Sequence, residues 1–156
     1  MKRLEFTSEQ LAEKLDRTQW ANEFSWEQIK GIAIYIQAYE AKMGTVIFNE
    51  GDTDQSMGIL IKGAVDIIKS DHEQMDKVIA TLRPPQTFGE MSLIDGEPRS
   101  AKAIAAGDVI ILMINKESFF EMSKSTPSLA LKLIWKIAGM ISRRLRMTSG
   151  QLIEYI

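Results

Sequence analysis

The spacing of apolar residues changes near Gly44 and separates a helical start of the chain from a strand-rich middle. Before Gly44, two hydroxyl residues, Thr7 and Ser25, are each followed by a glutamine three positions later and flanked by apolar residues. This pattern is a capping box with a hydrophobic staple, in which the hydroxyl and the amide satisfy backbone N–H groups at a helix start. It predicts helices over residues 8–21 and 26–40.

After Gly44, the apolar residues form short runs rich in valine and isoleucine, which is typical of strands. Turn residues such as Lys62-Gly63 and Pro84-Pro85 separate the runs. Many short strands at this spacing predict a sandwich or a barrel. The predicted strands cover residues 45–48, 57–61, 64–68, 77–82 and 109–114.

The helical period returns towards the C-terminus. A short helix is predicted near residues 116–123, and a long one starts after Thr126-Pro127, where proline costs no hydrogen bond. The long helix carries two apolar stripes, and the second has the heptad spacing of a coiled-coil seam. We expect a parallel homodimer through residues 127–155; the alternative is a single wide stripe packed on its own domain. The seam consists of Leu131, Ile134, Ala138, Ile141, Leu145, Thr148, Leu152 and Tyr155, and the neighbouring stripe of Leu133, Ile137, Met140 and Met147.

Composition excludes several classes of function. The 156-residue chain has a net charge of −2, so no basic field attracts nucleic acid or an anionic membrane. It has no cysteine and one histidine, His72 in a polar run, so no plausible metal site or set of catalytic residues is visible. The start lacks a signal-peptide pattern, and the longest apolar run, residues 103–114, is too short to cross a bilayer. We expect a cytoplasmic protein that is not an enzyme and has no nucleic-acid or membrane partner.

The richest chemistry lies in residues 88–101, which read FGEMSLIDGEPRSA. Gly89 lets the backbone approach a ligand closely, and the first N–H groups of a short helical turn over residues 90–94 suit a phosphate. Arg99 adds a permanent cation with planar donors, and Glu90 adds an acceptor for a sugar hydroxyl. We interpret this segment as a phosphate site beside a ribose site. The alternative is a plain β-turn-β connection in which Arg99 pairs with a neighbouring glutamate at the surface.

The combination Phe-Gly-Glu-x-Ser-Leu, followed by Pro-Arg-Ser-Ala, closely resembles the phosphate-binding cassette of the cyclic nucleotide-binding domain family, which includes catabolite activator protein-like sensors. The resemblance covers residues 26–150 and implies a mainly β fold with flanking helices. The expected architecture is an eight-stranded, jelly-roll-like β-roll (a double-stranded β-helix) with N-terminal helices and a long C-terminal helix. The implied domains are an N-terminal helical extension (1–25), the β-roll with its flanking helices (26–126) and a dimerisation or lid helix (127–156).

The resemblance also implies a role for each site residue. Backbone N–H groups of the cassette would bind the cyclic phosphate, the arginine would neutralise it, and the glutamate would accept the ribose 2′-hydroxyl. The segment Arg143–Ser149 resembles the dimer helix of the activators, whose threonine and serine reach the purine amino group, and Arg144 is expected to help hold Glu90. The predicted ligand-binding residues are Gly89, Glu90, Met91, Ser92, Arg99, Ser100, Thr148 and Ser149.

We therefore expect a stand-alone sensor that needs no cofactor, favours cyclic AMP over cyclic GMP and signals to an unknown protein effector. Lys102 opposes this preference, because a lysine can donate to a guanine oxygen. The activators carry a helix-turn-helix domain after this helix, and this chain ends six residues beyond Gly150, so we expect no DNA-binding domain. Gly150 leaves open whether residues 151–156 continue the helix or form a lid. The alternative function is a degenerate β-roll for dimerisation or protein docking only, which would need neither Glu90 nor Arg99.

Overall fold

A computed structural model of the chain describes the backbone of residues 1–154 and the side chains of residues 1–150. Over this range, nine strands form two antiparallel sheets that helices flank. The strands are β1 (Lys2–Leu4), β2 (Gln37–Ala41), β3 (Val46–Phe48), β4 (Ser56–Lys62), β5 (Val65–Ser70), β6 (Asp76–Leu82), β7 (Thr87–Phe88), β8 (Lys102–Ala105) and β9 (Val109–Asn115). The helices are α1 (Ser8–Asp16), a 3₁₀ turn (Gln19–Ala21), α2 (Trp26–Ala33), α3 (Glu90–Asp95), α4 (Lys116–Ser125) and α5 (Pro127–Glu154).

The two sheets share a buried apolar core. One sheet has the order β1-β2-β9-β4-β7 and the other the order β3-β8-β5-β6. Leu60 and Ile111 of the first sheet lie in one cluster with Val65 and Ala103 of the second. Eight of the nine strands, β2 to β9, lie within residues 37–115. The predicted fold class, a mainly β-roll with flanking helices, is confirmed.

The helices pack on the other face of the five-stranded sheet. Successive residues of a strand point to opposite faces, so Ile59 and Leu112 point away from the inter-sheet core and join the helical cluster. Leu133 and Ile137 of α5 are fully buried in the same cluster. Both predicted capping boxes form at the starts of α1 and α2. The C-terminal helix is thereby held against the roll through Leu133 and Ile137, and Ile141 of the other stripe packs partly against the same cluster.

Two predicted helix boundaries are wrong. The second helix ends at Ala33 instead of residue 40, because residues 37–41 form β2 between β1 and β9. Pairing on both sides of this segment outweighs its local helical pattern. The first helix ends at Asp16 and continues only as the 3₁₀ turn. The N-terminal segment also supplies strand β1, which the sequence pattern did not predict.

Helix α5 runs without a break to Glu154, so residues 151–154 continue the helix and do not fold back as a lid. The side chain of Leu152 and the whole of Tyr155, both assigned to the seam, lie outside the described residues. Within residues 1–154, no helix is long and apolar enough to span a membrane.

Candidate ligand-binding site

A cavity of about 270 Å³ lies where the four-stranded sheet, the short helix α3 and helix α5 meet. Six of the eight predicted site residues line it: Gly89, Glu90, Met91, Ser92, Arg99 and Ser100. The remaining lining residues were not predicted as site residues, apart from Arg144, the expected partner of Glu90. The unpredicted ones are Phe48, Ile67, Ala80, Leu82, Gln86, Thr87, Phe88 and Ala101. The cassette therefore forms a polar wall of the cavity, and strands β5 and β6 form an apolar one.

Gly89 fits its position because any side chain would collide with the site. It precedes α3 with a φ of +80°, a left-handed conformation that residues with a Cβ adopt only at a cost. A Cβ at this position would lie 2.7 Å from Arg99 Nη1 and 2.8 Å from the carbonyl oxygen of Ser56. The missing side chain therefore leaves room for Arg99 and the Ser56 backbone, and the close approach of Gly89 to a ligand stays a prediction.

Arg99 is fixed at the base of the cavity by several hydrogen bonds. Its side chain is almost fully buried and donates to the Gly89 carbonyl oxygen at 2.8 Å and to both Asp54 carboxylate oxygens at 3.1 and 2.5 Å. It also donates to the Ser56 carbonyl oxygen at 2.7 Å and lies over the Phe48 ring. The alternative in which Arg99 pairs with a neighbouring glutamate at the surface is wrong, because its carboxylate partner is Asp54.

Asp54 holds this arginine as an ionised group. Burial by itself raises the pKa of the Asp54 carboxyl, but hydrogen bonds from Arg99 and Ser56, together with the arginine charge, leave that pKa below its usual value. The sequence reasoning missed Asp54 and Ser56. They lie more than 40 residues before Arg99. The pairing of β4 with β7 and the backbone hydrogen bonds of Arg99 with Gly51 and Asp52 bring the two segments together, and no local pattern in the sequence encodes these contacts.

Glu90 is a buried carboxylate in which one oxygen forms an ion pair and the other has no partner among the described residues. Its side chain is 3 % exposed, and Oε1 pairs with the Arg144 guanidinium of α5. Among the described residues, Oε2 has no hydrogen-bond partner. Arg144 also donates to Thr87 Oγ1 at 3.3 Å and to its carbonyl oxygen at 3.2 Å, and burial lowers the pKa of its guanidinium. The prediction that Arg144 holds Glu90 is confirmed.

The two residues expected to contact a base lie outside the cavity. Thr148 and Ser149 are exposed on α5 and absent from the cavity lining. The Thr148 hydroxyl donates to the carbonyl oxygen of Arg144 at 2.9 Å. Lys102, the residue that opposed the cyclic AMP preference, also lies outside the lining and pairs with Asp76 at 3.5 Å.

The geometry combines three kinds of recognition in one small space. A buried cation and the first turn of a helix suit an anion, and a buried carboxylate oxygen without a partner suits a hydroxyl donor. The apolar side chains of β5 and β6 offer a surface for a flat ring. A nucleotide carries all three groups.

Comparison with known proteins also identifies a nucleotide-binding family. Residues 39–126, more than half of the chain, match the model of the cyclic nucleotide-binding domain family. The chain is 31% identical to the cyclic AMP receptor protein of Thermus thermophilus over 120 residues, which are 77% of this chain and 54% of that protein. It thus spans about half the length of that relative.

Solved structures give the same result for the fold. A cyclic nucleotide-binding domain from Methylobacillus flagellatus superposes with a TM-score of 0.81 at 23% identity, covering 96% of this chain and 84% of that one. The catabolite activator protein of Thermus thermophilus superposes with a TM-score of 0.77 at 27% identity, covering 87% of this chain and 62% of that one. From the family match, the roll and the cassette that lines its cavity, this chain belongs to the cyclic nucleotide-binding domain family.

Proposed function

We propose that this domain is a sensor that binds a cyclic nucleotide, prefers cyclic AMP to cyclic GMP and passes the signal to a protein partner through helix α5. One observation carries the proposal: buried Glu90, whose Oε2 has no hydrogen-bond partner among the described residues, lines the same cavity as Arg99. A buried acceptor without a partner costs about 1–3 kcal/mol, and a ligand hydroxyl would remove that cost. A roll used only for docking gains nothing from this arrangement.

In this proposal the cassette binds the sugar and the phosphate. Arg99 neutralises the cyclic phosphate, and the backbone N–H groups of Gly89 and Ser92 donate to it. Ser100 adds a further donor at the edge of the cavity. Glu90 Oε2 accepts the ribose 2′-hydroxyl while Oε1 stays paired with Arg144. Because Asp54 already fixes the guanidinium, little side-chain entropy is lost when the phosphate arrives.

The preference for cyclic AMP is supported by the state of the Thr148 hydroxyl. Its proton is directed to the Arg144 carbonyl oxygen, so its lone pairs remain free to accept from an adenine amino group. Guanine presents a carbonyl oxygen at that position and cannot donate. Lys102 is paired with Asp76 outside the cavity, which weakens its opposing role. Thr148 and Ser149 follow Arg144 by about one helical turn, so a small shift of α5 would bring them to a bound base.

Coupling between the ligand and α5 would run through Arg144. This residue belongs to α5, yet its guanidinium contacts Glu90 in the cassette and Thr87 in β7. A ligand hydroxyl that donates to Glu90 Oε2 would leave the carboxylate ionised and would change the strength and geometry of its ion pair with Arg144. A ligand can shift a helix only through a difference in contacts between two states, and a change in the geometry of this ion pair on binding would supply that difference.

A homodimer through α5 is the second part of the proposal. The Leu133 and Ile137 stripe is buried against the roll, whereas Leu131, Trp135 and Leu145 are 60–76 % exposed. Such large apolar side chains on one exposed helix face favour a protein partner. A second copy of the chain is the simplest occupant, because Leu131 and Leu145 belong to the seam read from the sequence, and Trp135 lies next to seam residue Ile134.

Replacing Leu145 with glutamate should convert the dimer into a monomer. Leu145 is 65 % exposed, so the change leaves the core of its own subunit intact and places like charges across the seam. Ile141 is a poorer choice, since it packs partly against its own core. Met147, which is 68 % exposed on the neighbouring stripe, supplies the control Met147→Glu. Sedimentation velocity with nucleotide present measures the change; a wild-type monomer at tens of micromolar would contradict the dimer.

Replacing Glu90 with glutamine should lower the affinity for cyclic AMP and reduce its preference over 2′-deoxy cyclic AMP. A charge-assisted hydrogen bond becomes a neutral one of about half the strength. Competition binding with both nucleotides measures the two affinities. Because the change also weakens the pairing with Arg144, the variant Arg144→Gln serves as a control: it should lower affinity but keep the preference for ribose. An unchanged ribose preference in Glu90→Gln would remove Glu90 from the ribose site.

A further inference from the structure

A second concave surface lies beside the nucleotide cavity and is strongly cationic. It consists of two adjoining cavities of about 320 and 380 Å³ that share Gln19 and Pro85. The surface lies between the end of α1, the 3₁₀ turn, the segment before β7 and helix α5. We call it the cationic groove. Its charged lining residues are Lys14, Arg17, Lys136, Arg143 and Arg144, and no carboxylate lines it within the described residues.

We propose that the cationic groove binds an acidic segment of a protein partner. This inference deepens the proposed function, on which it rests, by assigning a chemistry to the effector. The chain as a whole has 21 acidic and 19 basic residues, so general basicity does not explain five cations in one groove. The cations come from two places far apart in the sequence, namely the end of α1 with the following Arg17, and helix α5.

Part of this charge has no internal partner. Lys136 pairs with Glu23 and Arg144 with Glu90, so these two charges are balanced. Arg17 and Arg143 are exposed and pair with no carboxylate among the described side chains. Lys14 lies over the Phe6 ring, 4.6 Å from its centroid, and also pairs with no carboxylate among the described side chains. The groove therefore presents net positive charge to an approaching partner.

The floor of the groove is apolar, which favours a peptide over a nucleic acid. Trp20, Ile61, Met140 and the Pro84-Pro85 pair lie among the cations. The Trp20 indole is 8 % exposed, and its N–H finds no acceptor within the described part of the chain. A peptide with apolar residues between its acidic ones could pack those apolar side chains against this surface. A nucleic-acid strand needs an extended track of phosphate contacts instead, which two short cavities on an acidic chain do not provide.

The groove also adjoins the proposed sensing contact. Gln86, Thr87 and Arg144 line both the groove and the nucleotide cavity. A partner carboxylate that engages Arg144 would compete with Glu90 for the same guanidinium. Nucleotide and partner would then influence each other's binding through one ion pair, and the effect must be equal in both directions.

The test uses the full chain and a labelled twelve-residue peptide of repeated Glu-Glu-Leu triplets. Fluorescence anisotropy measures its affinity for the wild type, for Arg17→Gln with Arg143→Gln, and for Lys42→Gln with Lys124→Gln. Both pairs remove two exposed positive charges, but only the first pair lies in the groove. We expect binding that weakens with salt and falls about fivefold in the groove pair, with a change of less than about twofold in the control pair.

Three results would overturn the proposal: no binding by the wild type, equal losses in both pairs, or tighter groove-dependent binding of oligothymidylate or phosphatidylserine vesicles. The last result would assign the groove to nucleic acid or to a membrane surface. Calorimetry with cyclic AMP on the same three proteins separates this test from the proposed function. Absence of nucleotide binding in the wild type would refute the sensor, whereas the peptide data would still decide the groove.

Discussion

Replacing Gly89 with alanine should abolish measurable binding of cyclic nucleotide and destabilise the domain more than the same change at Gly44. Both glycines have a left-handed backbone, with φ of +80° and +88°, so each substitution costs about 1–2 kcal/mol of stability for that conformation. Only at Gly89 does the new Cβ meet Arg99 and the Ser56 backbone; at Gly44 nothing lies within 4 Å. The additional loss therefore measures the close approach of the cassette to its arginine.

Urea unfolding of the two variants measures the stabilities, and calorimetry with cyclic AMP measures binding. We expect Gly44→Ala to bind nucleotide as the wild type does. Equal stabilities for the two variants, or normal binding by Gly89→Ala, would show that the contacts around Gly89 are not required.

Replacing Arg99 with alanine should weaken cyclic nucleotide binding by about thirtyfold or more. The phosphate would lose the buried cation at its site, and truncating one partner of such a pair costs about 2–5 kcal/mol. From the sequence alone, this change is expected to leave the fold intact. The structure adds a cost, because the Gly89 and Ser56 carbonyl oxygens and the Asp54 carboxylate each lose a hydrogen bond from Arg99.

Binding of Arg99→Ala must therefore be measured well below its melting temperature, after circular dichroism has shown that it is folded. Arg146→Ala removes an exposed arginine of α5 that lies outside the cavity lining and provides the control. A loss of less than threefold in the folded Arg99→Ala variant would remove Arg99 from the phosphate site.

The cassette could be predicted from the sequence because its chemistry is local. Gly89, Glu90 and Arg99 lie within one short segment, and the turn and helix between them follow from neighbouring residues. The partners of these residues could not be predicted. Asp54 reaches Arg99 across 45 residues of sequence, and the β6 side chains reach the cavity only after the β5–β6 hairpin has paired with the distant strand β8.

In the C-terminal helix, too, local features could be predicted from the sequence and long-range contacts could not. Its apolar spacing predicts two stripes, and the structure buries Leu133 and Ile137 of one and exposes Leu131 and Leu145 of the other. The spacing alone does not predict that Ile141 of the second stripe packs partly against the core. The sequence left the end of the helix open, because Gly150 costs about 1 kcal/mol relative to alanine. In the 28-residue helix, that cost does not end the helix before Glu154. Residues 37–41 show the opposite case, since a helical pattern there becomes a strand held by two neighbours.

The central claim is that this cavity binds a cyclic nucleotide, and titration calorimetry of the full chain with cyclic AMP, cyclic GMP and 5′-AMP tests it most directly. We predict one cyclic AMP per subunit, weaker binding of cyclic GMP and little binding of the open phosphate. At 100 times the dissociation constant, cyclic AMP should stabilise the domain by about 2.7 kcal/mol in a parallel thermal melt. Tighter binding of cyclic GMP would overturn the base preference alone. No heat and no thermal shift with any cyclic nucleotide would contradict the account.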